Sequence, residues 1–103
     1  MTIAKFYTIS LFHCTSTYPA KMGELNLKVI QTLIDRFPLP IGYSGHESTF
    51  IPTYTAVMIG ACIIERHITV DRAMWGSDQA ASLEPVAFNR MVKYIREIDT
   101  ISG

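Results

Sequence analysis

The sequence predicts an α/β fold of parallel strands, and three observations carry that prediction. Short runs rich in aromatic and branched residues alternate with stretches of helical period. The resulting order is strand, helix, strand, helix, strand, helix. Proline and glycine fall at the junctions between these segments rather than inside them. Alternation of this kind implies right-handed βαβ units lying on one parallel sheet.

Taken in order, Phe6 to His13 suits a strand, and the polar cluster Thr15-Ser16-Thr17-Tyr18-Pro19 ends it. Leu25, Leu27, Val29, Ile30, Leu33, Ile34 and Phe37 recur at helical spacing, and Pro38 and Pro40 stop that helix. Ile41 to Ser44 is a short second strand, with Gly42 and Gly45 marking a close approach or a turn. Ser48 or Thr49 can cap a second helix through Tyr54, Ala56, Val57 and Met58 to Gly60, with Pro52 near its first turn. Ala61 to Glu65 is continuous and apolar, as buried parallel strands are. A polar loop runs from Asp71 to Ser82, and Pro85 opens a last helix carrying Phe88, Met91, Val92, Ile95 and Ile98.

Composition narrows the functional classes. The formal net charge is zero, so no basic field exists to hold nucleic acid through its phosphates. No run approaches the ~20 apolar residues of a membrane helix, and the apolar stretch near the N-terminus is broken by Thr8, Ser10 and His13, unlike a signal peptide. Apolar residues make up 49% of the 103-residue chain and charged residues 17%, against roughly 25% charged in ordinary soluble domains. So little polar surface points to oligomerisation, or to a larger fold that buries this stretch. Cys14 and Cys62 lack metal or redox spacing and sit in apolar runs, which fits reduced thiols and a cytoplasmic protein.

Polar residues gather where each strand ends: His13, Thr15, Ser16 and Tyr18 after the first, Ser44 and His46 after the second, Glu65, His67, Thr69 and Asp71 after the third. In parallel α/β folds ligands bind at that edge. Loops also collect polar residues for ordinary reasons of solvation. His46 and His67 end neighbouring strands, so their imidazoles can converge on one divalent ion, although a single strand-end histidine is commonly structural. Glu65 lies two residues before His67 and shares its side of an extended strand, while Arg66 points to the other. A carboxylate there calls for a partner or a task as acid, base or orienting group. Asp71, Arg72 and Asp78 suit a solvated loop, and Trp75 suits a substrate platform or an interface anchor.

Several words then recur in order: Leu11-Phe12-His13-Cys14-Thr15-Ser16-Thr17-Tyr18-Pro19, Ile41-Gly42-Tyr43-Ser44-Gly45-His46-Glu47, Glu65-Arg66-His67-Ile68-Thr69-Val70-Asp71-Arg72, Gly76-Ser77-Asp78 and Ala81-Ser82-Leu83-Glu84-Pro85. Together they resemble the N-acetylneuraminate (sialic acid) synthase family from about Phe12 to about Ile98. The resemblance implies a (β/α)8 barrel and the condensation of phosphoenolpyruvate with N-acetylmannosamine or its 6-phosphate, releasing phosphate. It implies a divalent metal, Mn2+ or Mg2+, on His46 and His67. It implies that Glu65 acts in proton transfer, that Ser44 contacts the phosphoenolpyruvate phosphate, and that Tyr18 and Asp78 lie near the sugar. Ser16 stands where some relatives carry an asparagine that contacts phosphoenolpyruvate. Gly45 replaces an aspartate of other relatives, which is expected to remove a charge beside the metal. Gln79 sits where several members have histidine.

A full barrel needs roughly 250 residues, so residues 1–103 are expected to form a partial barrel domain of about three βα units. They match the family's last three units, with no counterpart of its phosphate-binding lysines, its early strands or its antifreeze-like domain. Two functions follow as expectations. One is a sialic acid synthase whose barrel is incomplete in this chain, a homo-oligomer by expectation, with the isolated chain inactive or very weak unless self-association rebuilds a larger barrel-like assembly. The other is a non-catalytic fragment that self-associates and at most binds a divalent metal. On either, nucleic acid and membrane are not expected partners.

Overall fold

The structure, a computed structural model, describes residues 8–73, 76 and 81–103. Strand β1 spans Leu11–Cys14, α1 Val29–Arg36, β2 Ile41–Gly45, α2 Ile51–Met58, β3 Ile63–Arg66 and α3 Pro85–Ser102, with a 3-10 turn at Met22–Glu24. The strands form one parallel sheet in the order β1-β2-β3. Each link between strands is therefore a crossover carrying a helix, as the alternation predicts. Among the described residues no helix is long and apolar enough to cross a membrane.

Register and parity position everything that matters for the site. Cys14 pairs with Ser44, and Ser44 with Glu65, so these three residues form one row across the sheet. Successive side chains on a strand point to opposite faces. Ile41 and Tyr43 turn toward the helices and pack with Ile30, Ala56 and Ala61 in the core. Full burial of a side chain such as Ile30 contributes about 1.5–3 kcal/mol. Gly42 and Ser44 turn the other way. A Cβ at Gly42 would stand 2.5 Å from the Phe12 ring and 2.9 Å from the Ile63 carbonyl oxygen. Glycine there allows Phe12 to lie across β2, beneath the strand ends.

The element boundaries depart from the sequence reading in informative places. The first helix begins at Val29 rather than Leu25, because Asn26 adopts φ 47° and breaks the helical path. Leu25 is buried nonetheless, which is why its apolar character mimics helical period. Helix α2 starts at Ile51, with Phe50 at the cap and no side-chain cap bond, so neither Ser48 nor Thr49 fills that role. Pro52 does occupy the first turn. Strand β3 starts two residues later than expected and is not deeply buried: Ile63 is exposed and Ile64 half-buried. Its apolar run belongs to a strand that, among the described residues, has a neighbour on one side only. Phe12, Ile63 and Ile68 are also exposed, in keeping with the excess of apolar residues.

Candidate metal and substrate site at the strand ends

The C-terminal ends of the three strands bring His46, His67, Glu65, Ser44 and Tyr18 together. The His46 and His67 rings lie 5.2 Å apart, centre to centre, in an edge-on arrangement. Tyr18 stands beside both, its ring 4.1 Å from His46 and 5.4 Å from His67. The aromatic ring forms a wall against one flank of the imidazole pair. Ser44 donates its hydroxyl to Glu65 Oε1 at 2.7 Å. That bond crosses directly between register partners on β2 and β3.

His46 is almost fully buried, and its Nδ1 lies 2.7 Å from the Thr15 carbonyl oxygen. A carbonyl only accepts, so Nδ1 carries a proton, and in the neutral ring the lone pair is then on Nε2. The main chain anchors both residues as well: Ala20 N–H donates to the His46 carbonyl at 2.9 Å and Leu83 N–H to the His67 carbonyl at 2.8 Å. A neutral imidazole held by a backbone carbonyl through one nitrogen presents the other to a metal. Two imidazoles fit a divalent ion that keeps open positions for substrate oxygens and water. Among the described residues no group of three or more His, Cys, Asp or Glu converges, so what these residues offer a cation is this pair.

The other expected residues are placed as follows. Ser16 lies exposed in the loop after β1, its Oγ 4.0 Å from Cys14 Sγ. Asp78, Trp75, Ser77 and Gln79 fall outside the described residues. His13 faces away from the pair: its Nε2 bonds the Leu25 carbonyl, and its ring approaches Tyr43 on the helix side. Asp71 accepts from Ala73 N–H at 2.9 Å, a local turn. Glu65 is exposed rather than enclosed, because the face it shares with Ser44 is open.

Three features were missed by reading the sequence. Cys14 Sγ stands 3.9 and 4.0 Å from the two ring nitrogens of His46. Both cysteines are free and exposed instead of packed as small hydrophobes. The third is a buried ion pair, Arg66 with Glu47, at 3.3 Å. Parity explains it. Arg66 sits on the opposite side of β3 from Glu65 and reaches Thr53 of α2 and the Glu47 carboxylate. Burial holds the Arg66 guanidinium below its ordinary basicity, an effect the Glu47 carboxylate opposes. Tyr43 donates to Glu47 Oε2 at 2.7 Å, and burial together with that carboxylate pushes the phenol well above the usual range. Gly45 faces this pair too. A Cβ there would lie 2.7 Å from Arg66 Cδ and 2.8 Å from Glu47 Oε2. The side chain missing at position 45 thus points toward Arg66, correcting the expectation that an aspartate there would sit beside the metal.

A parallel βα sheet with an imidazole pair, a carboxylate and a hydroxyl at its strand ends defines a partial (β/α)8 barrel bearing a strand-end site. The chain belongs to the NeuB family, whose family model matches residues 2–103. It is 45% identical over 93 residues to N,N'-diacetyllegionaminic acid synthase of Legionella pneumophila, a match covering 90% of this chain and 26% of that protein. Human N-acetylneuraminate-9-phosphate synthase is 44% identical over 91 residues, covering 87% of this chain and 25% of the relative. Among solved structures, the N-acetylneuraminic acid (sialic acid) synthetase of Leptospira borgpetersenii, in complex with citrate, superposes with a TM-score of 0.86 at 41% identity. That match covers 91% of this chain and 33% of the synthetase chain. The chain therefore spans about a quarter to a third of the relatives it matches.

Proposed function

We propose that these residues are the metal-binding, proton-handling portion of a synthase. The synthase joins phosphoenolpyruvate to N-acetylmannosamine or its 6-phosphate and releases phosphate. The observation that carries this reading is the imidazole pair, 5.2 Å apart at the ends of neighbouring strands, with the Ser44–Glu65 bond one step below it. His46 and His67 would hold Mn2+ or Mg2+, which when bound supplies Lewis-acid polarisation of the sugar aldehyde. Tyr18 screens one side of the pair from water and lies where the sugar would pass. Ser44 can hold a phosphate oxygen by its hydroxyl, and its present partner Glu65 is placed to take up or return a proton as that hydroxyl switches partners. Ser16 and Asp78 complete the proposed substrate contacts. Reduced cysteines suit a cytoplasmic setting.

A second reading is favoured by the exposed Phe12, Ile63 and Ile68. On that reading the chain binds metal, self-associates through these surfaces and does no chemistry. One assay separates the two. The chain is incubated with Mn2+, phosphoenolpyruvate and either sugar, and phosphate and the nine-carbon acid are followed, with His67→Ala in parallel. Turnover abolished in the variant supports the synthase. Turnover indifferent to His67→Ala refutes the assigned site, and metal binding with no turnover in a folded, self-associated chain selects the second reading.

A further inference from the structure

Each histidine of the pair is followed or preceded by one member of the buried ion pair. Glu47 follows His46 and Arg66 precedes His67. On extended backbone neighbouring side chains point to opposite sides, so the two imidazoles face the site while Glu47 and Arg66 lock together behind it. Their side chains are 1% and 0% exposed. Arg66 Nη2 donates to the Glu47 carbonyl at 2.6 Å and to the Ala81 carbonyl at 3.3 Å. Its Nη1 donates to the Thr49 carbonyl at 3.2 Å and to Thr53 Oγ1 at 3.1 Å. Thr53 Oγ1 in turn donates to Glu47 Oε1 at 2.8 Å. One guanidinium thus ties β3 to the segment after β2, to the first turns of α2 and to the stretch that precedes α3. Gly45 is needed because the pair packs against the space where its Cβ would be.

We propose that Glu47 and Arg66 are positioning residues, which set the spacing and ring orientation of His46 and His67 and so tune their affinity for a divalent cation. This rests on the metal reading of the histidine pair. Buried ion pairs are poor stabilisers compared with apolar replacements, which leaves room for a role in fixing geometry. Groups hydrogen-bonded to metal-ligating histidines change affinity by about 10–100-fold when removed, and Glu47 and Arg66, which reach the rings only through the backbone, are expected at the low end of that range.

The test uses Co2+ as a spectroscopic probe on the folded chain, well below the unfolding temperature. Glu47→Gln removes a negative charge near the histidines and Arg66→Met removes a positive one. A through-space charge effect would weaken binding in the first and strengthen it in the second. Positioning weakens both, by about tenfold, and alters the Co2+ absorption band. Opposite signs, or unchanged affinity in both folded variants, overturn the proposal. Thr53→Val, which trims the network while leaving the ion pair, is the fallback if either variant fails to fold, and a loss of a few-fold is expected. Should the wild type bind no Co2+, the metal reading falls by itself. The positioning role is then judged by 15N NMR of His46: loss of the Nδ1–H tautomer in Arg66→Met supports it, and retention refutes it.

Discussion

Removing Arg66 tests the energetic side of the buried pair, and the structure sets the size of the effect. In Arg66→Met the Glu47 carboxylate keeps two donors, Tyr43 at 2.7 Å and Thr53 at 2.8 Å, but loses its counter-charge. The carbonyls of Thr49 and Ala81 lose the guanidinium donors they now have. Stranding one member of a buried pair costs about 3–5 kcal/mol. With a urea dependence of ~1.5 kcal/mol per M, the unfolding midpoint falls by about 2–3 M. The companion variant Glu47→Leu/Arg66→Met replaces both charges by apolar groups and is expected to recover most of that loss. Urea unfolding followed by circular dichroism reads both. If Arg66→Met costs less than about 1 kcal/mol, or the double variant is as unstable as the sum of its parts, the pair is not the coupled, desolvated unit described above.

Other outcomes follow from the same packing. Tyr43 and Tyr54 both have phenols held above their ordinary range, first by burial. An acid whose folded value is raised contributes stability below the unfolded value, about pH 10, that is lost as pH rises beyond it. Unfolding free energy should therefore be flat from pH 7 to 9 and decline above about 10, more shallowly in Tyr43→Phe; an undiminished slope in that variant contradicts the assignment. Gly42→Ala places a Cβ against the Phe12 ring and the Ile63 carbonyl, and should cost about 1–3 kcal/mol in thermal unfolding. Adding Phe12→Leu should return part of that cost. Ser44→Ala removes the bond to Glu65 at an edge that is partly open, so stability should fall by only about 0.5–1.5 kcal/mol, while turnover, if the proposed chemistry holds, falls far more.

What the sequence made legible was whatever depends on order and period. Alternating segments gave parallel βα units because a parallel pair cannot be joined without a crossover. Two-residue spacing placed Glu65 with His67 and sent Arg66 to the other side, and the structure turns Glu65 toward Ser44 and Arg66 toward Thr53 of α2. What stayed hidden depends on distance in space. Nothing in Glu47-Ser48-Thr49 announces that the carboxylate folds back under β2 to meet Arg66, 19 residues on. Asn26 looked like an ordinary helix position until its positive φ separated Leu25 from α1. The third strand read as buried because its residues are apolar, yet burial needs neighbours on both sides, and that is not a property of its own sequence.

Parity also makes the proposed metal ligands and the residues packed behind them hard to separate by sequence. His46-Glu47 and Arg66-His67 are adjacent words, and in each one residue faces the site and the other the helices. On the proposed reading, substitution at either position is expected to disturb both roles, since the backbone between them is shared. A loss of metal binding after changing Glu47 is therefore no sign that Glu47 is a ligand: its carboxylate oxygens are taken by Tyr43, Thr53 and Arg66. The affinity change must be compared with that from Arg66, the opposite charge in the same contact. Only agreement in sign between the two separates geometry from charge.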